Sequence, residues 1–227
     1  MWAGVECRQP PSLPGFVMYT PPAFREDDPA ILRSIMREAR LATLVTATAE
    51  GLMATPLPLF LDASEGEHGV LYGHLARANG QWKAAPIGEA LVLFSGLDAY
   101  ITPSWYAAKA EHGKVVPTWN YEAVHAYGLA EFFDDPERLL AAVTRLTALY
   151  EQKRAEPWSV SDAPESFVAA QLRGIVGLRL PITRLEGKRK MSQNRSEADR
   201  AGVAAGLAGS ERPDERRVAD LIPTPRG

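Results

Sequence analysis

The chain has 227 residues, 46% of them apolar and 23% charged, which is the composition of an ordinary folded protein and not of a disordered, collagen-like or coiled-coil chain. Twenty-five basic against 28 acidic residues give a formal charge of −3, which argues against a broad nucleic-acid-binding face. The single cysteine, Cys7, excludes an intrachain disulfide and points to a reducing, cytoplasmic setting.

The longest apolar stretch, 90–101, is interrupted by Ser95, Gly96 and Asp98 and falls short of the roughly 20 residues a spanning helix needs. The N-terminus has no basic start followed by an apolar run, so it does not read as a secretory signal. Six of the 18 prolines fall before residue 30 and three after 207. Dense proline marks extended or irregular chain. We therefore expect a loose arm over 1–15, one domain over 16–207 and a mobile tail over 208–227, where charged residues crowd out any apolar stripe.

Asp28-Pro29 opens a helix, followed by Ile31, Leu32, Ile35, Met36 and Ala39 at helical spacing. Residues 41–46 read as a strand that stops at Glu50-Gly51. Residues 53–62 return as a strand carrying Pro56 and Pro58, so one side of it must be unpaired. Further strands are expected at 69–76, 90–96, 99–102, 125–133 and 175–185. Asp135-Pro136 caps a second helix, with Leu139, Leu140, Val143, Leu146 and Tyr150 on one face. Residues 164–172 and 196–207 are further helices. Consecutive strands with helices at the ends argue against a doubly wound parallel sheet. They predict a mainly β fold, a small antiparallel barrel of six or seven strands with peripheral helices.

The chain has no glycine-rich dinucleotide fingerprint, no P-loop, no nucleophile elbow and no zinc-ligand spacing among its four histidines. No helix pair with a tight turn is expected, so no DNA-reading element is evident. Three polar-aromatic segments carry the chemistry. His74, Arg77, Asn79, Gly80, Gln81, Trp82 and Lys83 follow a strand; the cations suit a phosphate, and the amides suit a heterocycle edge. Tyr100, Trp105, Tyr106, Trp119 and Tyr121 are rings that stack on planar ligands or on a second chain. Residues 184–200 hold six cations and three anions, a local +3 that suits an anionic group.

These segments occur in order with Met18-Tyr19-Thr20-Pro21-Pro22-Ala23-Phe24, Ala54-Thr55-Pro56-Leu57-Pro58 and Val124-His125-Ala126-Tyr127-Gly128. Together they resemble the PaiB-type FMN-binding negative transcriptional regulator family, from about Met18 to Leu207. Gly80 departs from a more usual proline there. The resemblance implies an FMN-binding split barrel similar to pyridoxamine-phosphate-oxidase-like flavoproteins, a homodimer with FMN at its interface. It implies Arg77 and Lys83 at the phosphate, with Lys190 adding charge. Asn79, Gln81 and Trp82 are implied beside the flavin or ribityl chain, and Thr55 and Leu57 offer backbone. His74, Trp119, Asn120 and Gln193 complete the candidate set. The function implied is a regulator that acts through flavin or metabolite binding. DNA contact is possible but has no motif or charge behind it. The alternative is an FMN-dependent oxidoreductase using NAD(P)H or a small-molecule substrate.

Overall fold

The computed structural model describes residues 18–39 and 41–223. Ten strands form two antiparallel sheets. The larger runs β1 (Arg25–Glu26), β10 (Arg184–Lys190), β7 (Thr118–Gly128), β6 (Ala90–Ile101), β2 (Ala42–Thr48) and β3 (Gly51–Leu57). The smaller runs β4 (Leu59–Asp62), β5 (Val70–Ala76), β9 (Ile175–Pro181) and β8 (Glu131–Phe133). Only Pro58 separates β3 from β4, two residues separate β7 from β8, and two separate β9 from β10. The chain passes four times from one sheet into the other, three times through these short connections and once between β5 and β6. This produces a split barrel.

Alternation along the strands fills it. Leu44, Val92, Phe94, Val124 and Ala126 from the larger sheet meet Leu59, Leu71, Leu75, Leu178 and Leu180 from the smaller. Helix α1 (Pro29–Glu38) adds Leu32, Ile35 and Met36 to the same core. Its start agrees with the sequence: the Asp28 side chain accepts from the Ala30 N–H, and Pro29 is the first helical residue. Helix α3 (Pro136–Glu151) is capped in the same way by Asp135, which accepts from the Arg138 N–H. Its inward face is Leu139, Ala142 and Leu146, while Leu140 and Tyr150 are exposed. The inward face is rotated from the expected one because the large apolar residues at 140 and 150 draw the eye away from the small Ala142. Helix α4 (Glu165–Leu172) packs on α3 and β9.

A second core lies beyond the barrel. Ala99 and Ile101 at the far end of β6 pack with Tyr106, Met191, Val203 and Leu207. Val203 and Leu207 come from helix α5 (Glu197–Ala208). Helix α2 (Ala108–His112) is short and exposed. Gly206 of α5 lies so close to Trp105 that a Cβ there would stand 2.3 Å from the indole, and one on Gly202 would stand 2.0 Å from the Trp105 carbonyl oxygen.

Several expectations are corrected. Among the described residues there are ten strands, not six or seven, because prolines, turns and two-residue gaps cut long runs into pairs. Residues 90–96 and 99–102 are one strand, β6, interrupted only by an irregularity between Ser95 and Asp98. β7 begins at Thr118 and takes in the aromatic segment, and β10 carries the basic residues 188–190. Over residues 208–223 the expected mobile tail contains helix α6 (Pro213–Asp220), with Val218 and Ile222 buried in the second core. Two apolar anchors in a charged stretch leave no visible stripe, yet they suffice to dock it. α5 and α6 therefore form a helix pair where none is expected, but α6 carries Asp214, Glu215 and Asp220 against Arg216 and Arg217, so it presents no basic reading face. The expected arm over 1–15 lies outside the described residues. Among the described residues no helix is long and apolar enough to cross a membrane.

The contact between α5 and Trp105 can be tested. Gly206→Val should cost about 1–3 kcal/mol, because the indole must move out of a packed core. Gly80→Ala meets no atom within 4 Å and should stay within about 0.5 kcal/mol of the parent. Urea unfolding curves of both variants check this; equal midpoints would show that α5 yields at no cost.

Candidate functional site

The segment after β5 folds locally. The Asn79 side chain accepts from the Gln81 N–H at 2.9 Å and starts a single 3-10 turn, Gly80–Trp82. The turn drives Gln81 inward, where it is 1% exposed. Its Nε2 donates to Thr46 Oγ1 at 3.0 Å and to the carbonyls of Leu44 and Met53 at 3.3 Å. Thr55 Oγ1 donates to Gln81 Oε1 at 2.5 Å and accepts from Asn79 Nδ2 at 2.9 Å. Thr55, Asn79 and Gln81 thus form one closed network that fastens the turn to the β2–β3 ladder. Leu57 is buried in the barrel core.

Arg77 is held by backbone. Its Nε donates to the Arg173 carbonyl at 2.9 Å and its Nη2 to the Ile175 carbonyl at 3.0 Å, while Nη1 faces the exposed Asp134 carboxylate at 3.4 Å. Trp82 donates from Nε1 to the Arg77 carbonyl at 2.9 Å. Arg77 and Lys83 lie over its ring, at 5.7 and 5.3 Å from the centroid. Lys83 is exposed and, among the described residues, has no carboxylate partner. The turn therefore presents a flat indole flanked by two cations, one of them uncompensated. Nearby, β3 is an edge of its sheet, and Leu52 on it is 78% exposed. Ile87, whose N–H donates to the Ala47 carbonyl opposite Leu52, is 62% exposed.

The remaining candidates lie elsewhere. Asn120 is fully buried and exchanges hydrogen bonds with Ser192 at 3.0 and 3.2 Å. Ser192 has φ 61° and is the single non-glycine residue with positive φ among those described. Lys190 Nζ donates to Thr118 Oγ1 and, at 2.7 Å, to the Trp119 carbonyl. Burial lowers its pKa from the usual range, and the neighbouring charges of Lys188 and Arg195 act the same way. Gln193 bridges the Met191 N–H, at 2.6 Å, and the Arg189 carbonyl. Trp119 is half exposed and meets Tyr100 edge-on, centroids 5.9 Å apart.

The register separates the two groups. Thr55 faces Leu44, and Leu44 faces Val92; Trp119 faces Tyr100, eight residues further along β6. Eight residues are about 26 Å of strand. One chain therefore does not bring the 77–83 turn and the Trp119–Gln193 group to one small ligand. His74 belongs to neither: it faces Gly177 across the smaller sheet, its Nδ1 is buried with no partner, and burial lowers its pKa below the usual 6.5. Sequence reasoning missed Thr46, the inner anchor of Gln81, although its place two residues beyond Leu44 on an alternating strand puts it on the inward face. It also missed Asp134, which lies 57 residues from the Arg77 it pairs with.

The donor set suits a phosphate next to a flat aromatic surface: an unpaired Lys83, the Trp82 ring, and an edge strand interrupted by proline. The family model described as "Putative FMN-binding domain" matches residues 18–184. The chain belongs to this family. Its cofactor is FMN. The matched span contains the whole 77–83 turn and ends before Lys190 and Gln193. Among relatives, the protease synthase and sporulation protein PAI 2 of Bacillus subtilis (strain 168) is 33% identical over 206 residues, covering 90% of this chain and 96% of its own length. The fold recurs in the FAD and heme binding protein of Mycobacterium smegmatis, at TM-score 0.54, 16% identity and 80% coverage of each chain. It recurs in the flavocytochrome Anf3 of Azotobacter vinelandii, at TM-score 0.51, 15% identity, 74% of this chain and 69% of that one.

Two half-buried histidines make stability depend on pH. Burial lowers the pKa of His74 and of His125 from 6.5. The unfolded chain thus binds more protons in mild acid, so their contribution is complete above pH 6.5 and is lost as pH falls towards the folded values. Asp62, Glu65 and Glu131 are held below 3.8, 4.5 and 4.5 by hydrogen bonds to Arg145, to Tyr72 and Arg179, and to Arg138, so they act only in stronger acid. The melting temperature should fall between pH 7 and pH 5, and less steeply in a His74→Gln, His125→Gln double variant. An identical slope in parent and variant would remove the histidines as the cause.

Proposed function

We propose that this flavin-binding, PaiB-like protein is a homodimeric regulator in which FMN bridges the two chains. The observation that carries the dimer is the separation of the two candidate groups, which face a shared ligand only if a second chain supplies one of them. An isologous dimer about a two-fold axis would do so twice. Exposed Leu52 and Ile87 beside the turn suit such a contact.

In this reading Lys83 meets the phosphate as a point charge, and Arg77 adds its outward edge once Asp134 gives way. Trp82 offers its ring to the flavin or ribityl chain. Thr55, Asn79 and Gln81 are positioning residues that hold the turn. Trp119 would approach from the second chain, with Asn120, Lys190 and Gln193 fixing its strand. Bound FMN supplies one- or two-electron redox chemistry. The regulatory role is supported by the near-complete alignment with the sporulation-associated relative. With a charge of −3 and no basic helix, regulation through the flavin or a metabolite is better supported than direct operator reading.

FMN titration tests the assignment. Lys83→Ala should weaken FMN binding at least about tenfold, the scale of a lost charge-assisted hydrogen bond. Arg77→Ala should do the same and also lower the melting temperature, because two carbonyls lose their donor. Unchanged affinity in both variants would remove the phosphate site. Light scattering should give twice the chain mass, and a monomer would sink the bridging model. Promoter DNA should not be retarded even at low salt, where phosphate contacts are strongest. NAD(P)H oxidation on adding FMN would instead favour the oxidoreductase.

A further inference from the structure

A cavity of about 260 Å³ lies between α1, β4 and α3, and no candidate cofactor residue is part of its lining. Its walls include Met36, Leu59, Leu71 and Phe94, so it reaches the side chains of the barrel core itself. Two guanidinium groups, Arg37 and Arg145, are the charged groups of its lining, and no carboxylate is among its lining residues. Arg37 is exposed in the last turn of α1 and has no carboxylate partner among the described residues. Arg145 pairs through Nη1 with Asp62 and lies over the Phe60 ring at 4.9 Å from its centroid. That pairing uses one donor of a five-donor fork and leaves the rest of its edge for another acceptor.

A mainly apolar, half-open pocket with two cations and no anion in its lining is complementary to a molecule with an apolar body and an anionic end. We propose that this cavity binds a small monocarboxylate with an apolar body, its carboxylate held by Arg37 and Arg145. The size fits. Apolar cavities near 150 Å³ hold a benzene ring, so this one takes a ring and a short chain bearing the acid. The Asp62 and Glu65 carboxylates beside Arg145 disfavour a second anionic group, so a monoanion fits best. A bound acid would link α1, which contributes to the barrel core, to α3, which covers the smaller sheet. The assignment stands on the cavity alone and holds whether or not the protein regulates transcription.

Calorimetric titration with phenylacetate, benzoate and hexanoate tests it, with benzyl alcohol as the uncharged analogue. At least one acid should bind with a dissociation constant below about 1 mM, and benzyl alcohol at least about tenfold more weakly. Arg37→Gln changes an exposed residue and should weaken the acid about tenfold. Arg145→Gln should do likewise, although it leaves Asp62 unpaired and can lower stability. Ala148→Leu fills the cavity from its exposed rim and should abolish binding while leaving FMN affinity unchanged. No heat with any acid at about 5 mM would overturn the proposal. So would undiminished binding in both Arg37→Gln and Ala148→Leu. Loss of FMN affinity with intact acid binding would count against the cofactor site and not against this one.

Discussion

The Gln81 amide is surrounded by protein on every side, and its oxygen and nitrogen are both satisfied by strands β2 and β3. A buried amide costs several kcal/mol if left unpaired, so the turn that carries it has one place to sit. That single constraint orients the rest of the segment. With Gln81 inside, its neighbours Trp82 and Lys83 must point outward, and the Trp82 N–H closes back on the Arg77 carbonyl. Arg77 in turn ties the end of β5 to the start of β9. The cationic face is therefore built on the barrel wall, not on a free loop, and its geometry is as firm as the sheet beneath it.

β6 plays the corresponding role over a longer range. Its first half lines the barrel with Val92 and Phe94, and its last residues, Ala99 and Ile101, line the second core. The irregularity between Ser95 and Asp98 lets one strand serve both. Helices α5 and α6 thus pack on the end of the same continuous strand that lines the cofactor-binding barrel. A change in their packing at Trp105 has a direct mechanical path to Trp119, which pairs with Tyr100 on that same strand.

Local signals are legible in the sequence and distant ones are not. Asp28-Pro29 and Asp135-Pro136 reveal their helices because a cap and the N–H it accepts from lie within three residues. Pro56 and Pro58 reveal an edge because a missing donor is a property of the residue itself; β3 and β4 are indeed sheet edges. The polar turn at 77–83 is visible as a segment, but the inward course of Gln81 is not, since its partners Leu44, Thr46 and Met53 are 37, 35 and 28 residues away. Helix α6 escapes because two buried side chains, Val218 and Ile222, make no periodic stripe. The cavity beside Arg37 and Arg145 escapes for a similar reason: it exists only where α1, β4 and α3 meet.

The proline-bearing margin formed by β3 and β4 has a consequence for assembly. One sheet ends on β3 and the other on β4, so a single run of chain supplies an open border to both. An open border is where a foreign strand could add and continue the sheet without limit. Pro56 and Pro58 remove two donors from that run, so no incoming strand could form an unbroken ladder along it. The border can accept side-chain packing from a partner, but it cannot seed a fibril. A protein that exposes Leu52 on this border is thereby protected from the uncontrolled polymerisation that such exposure invites.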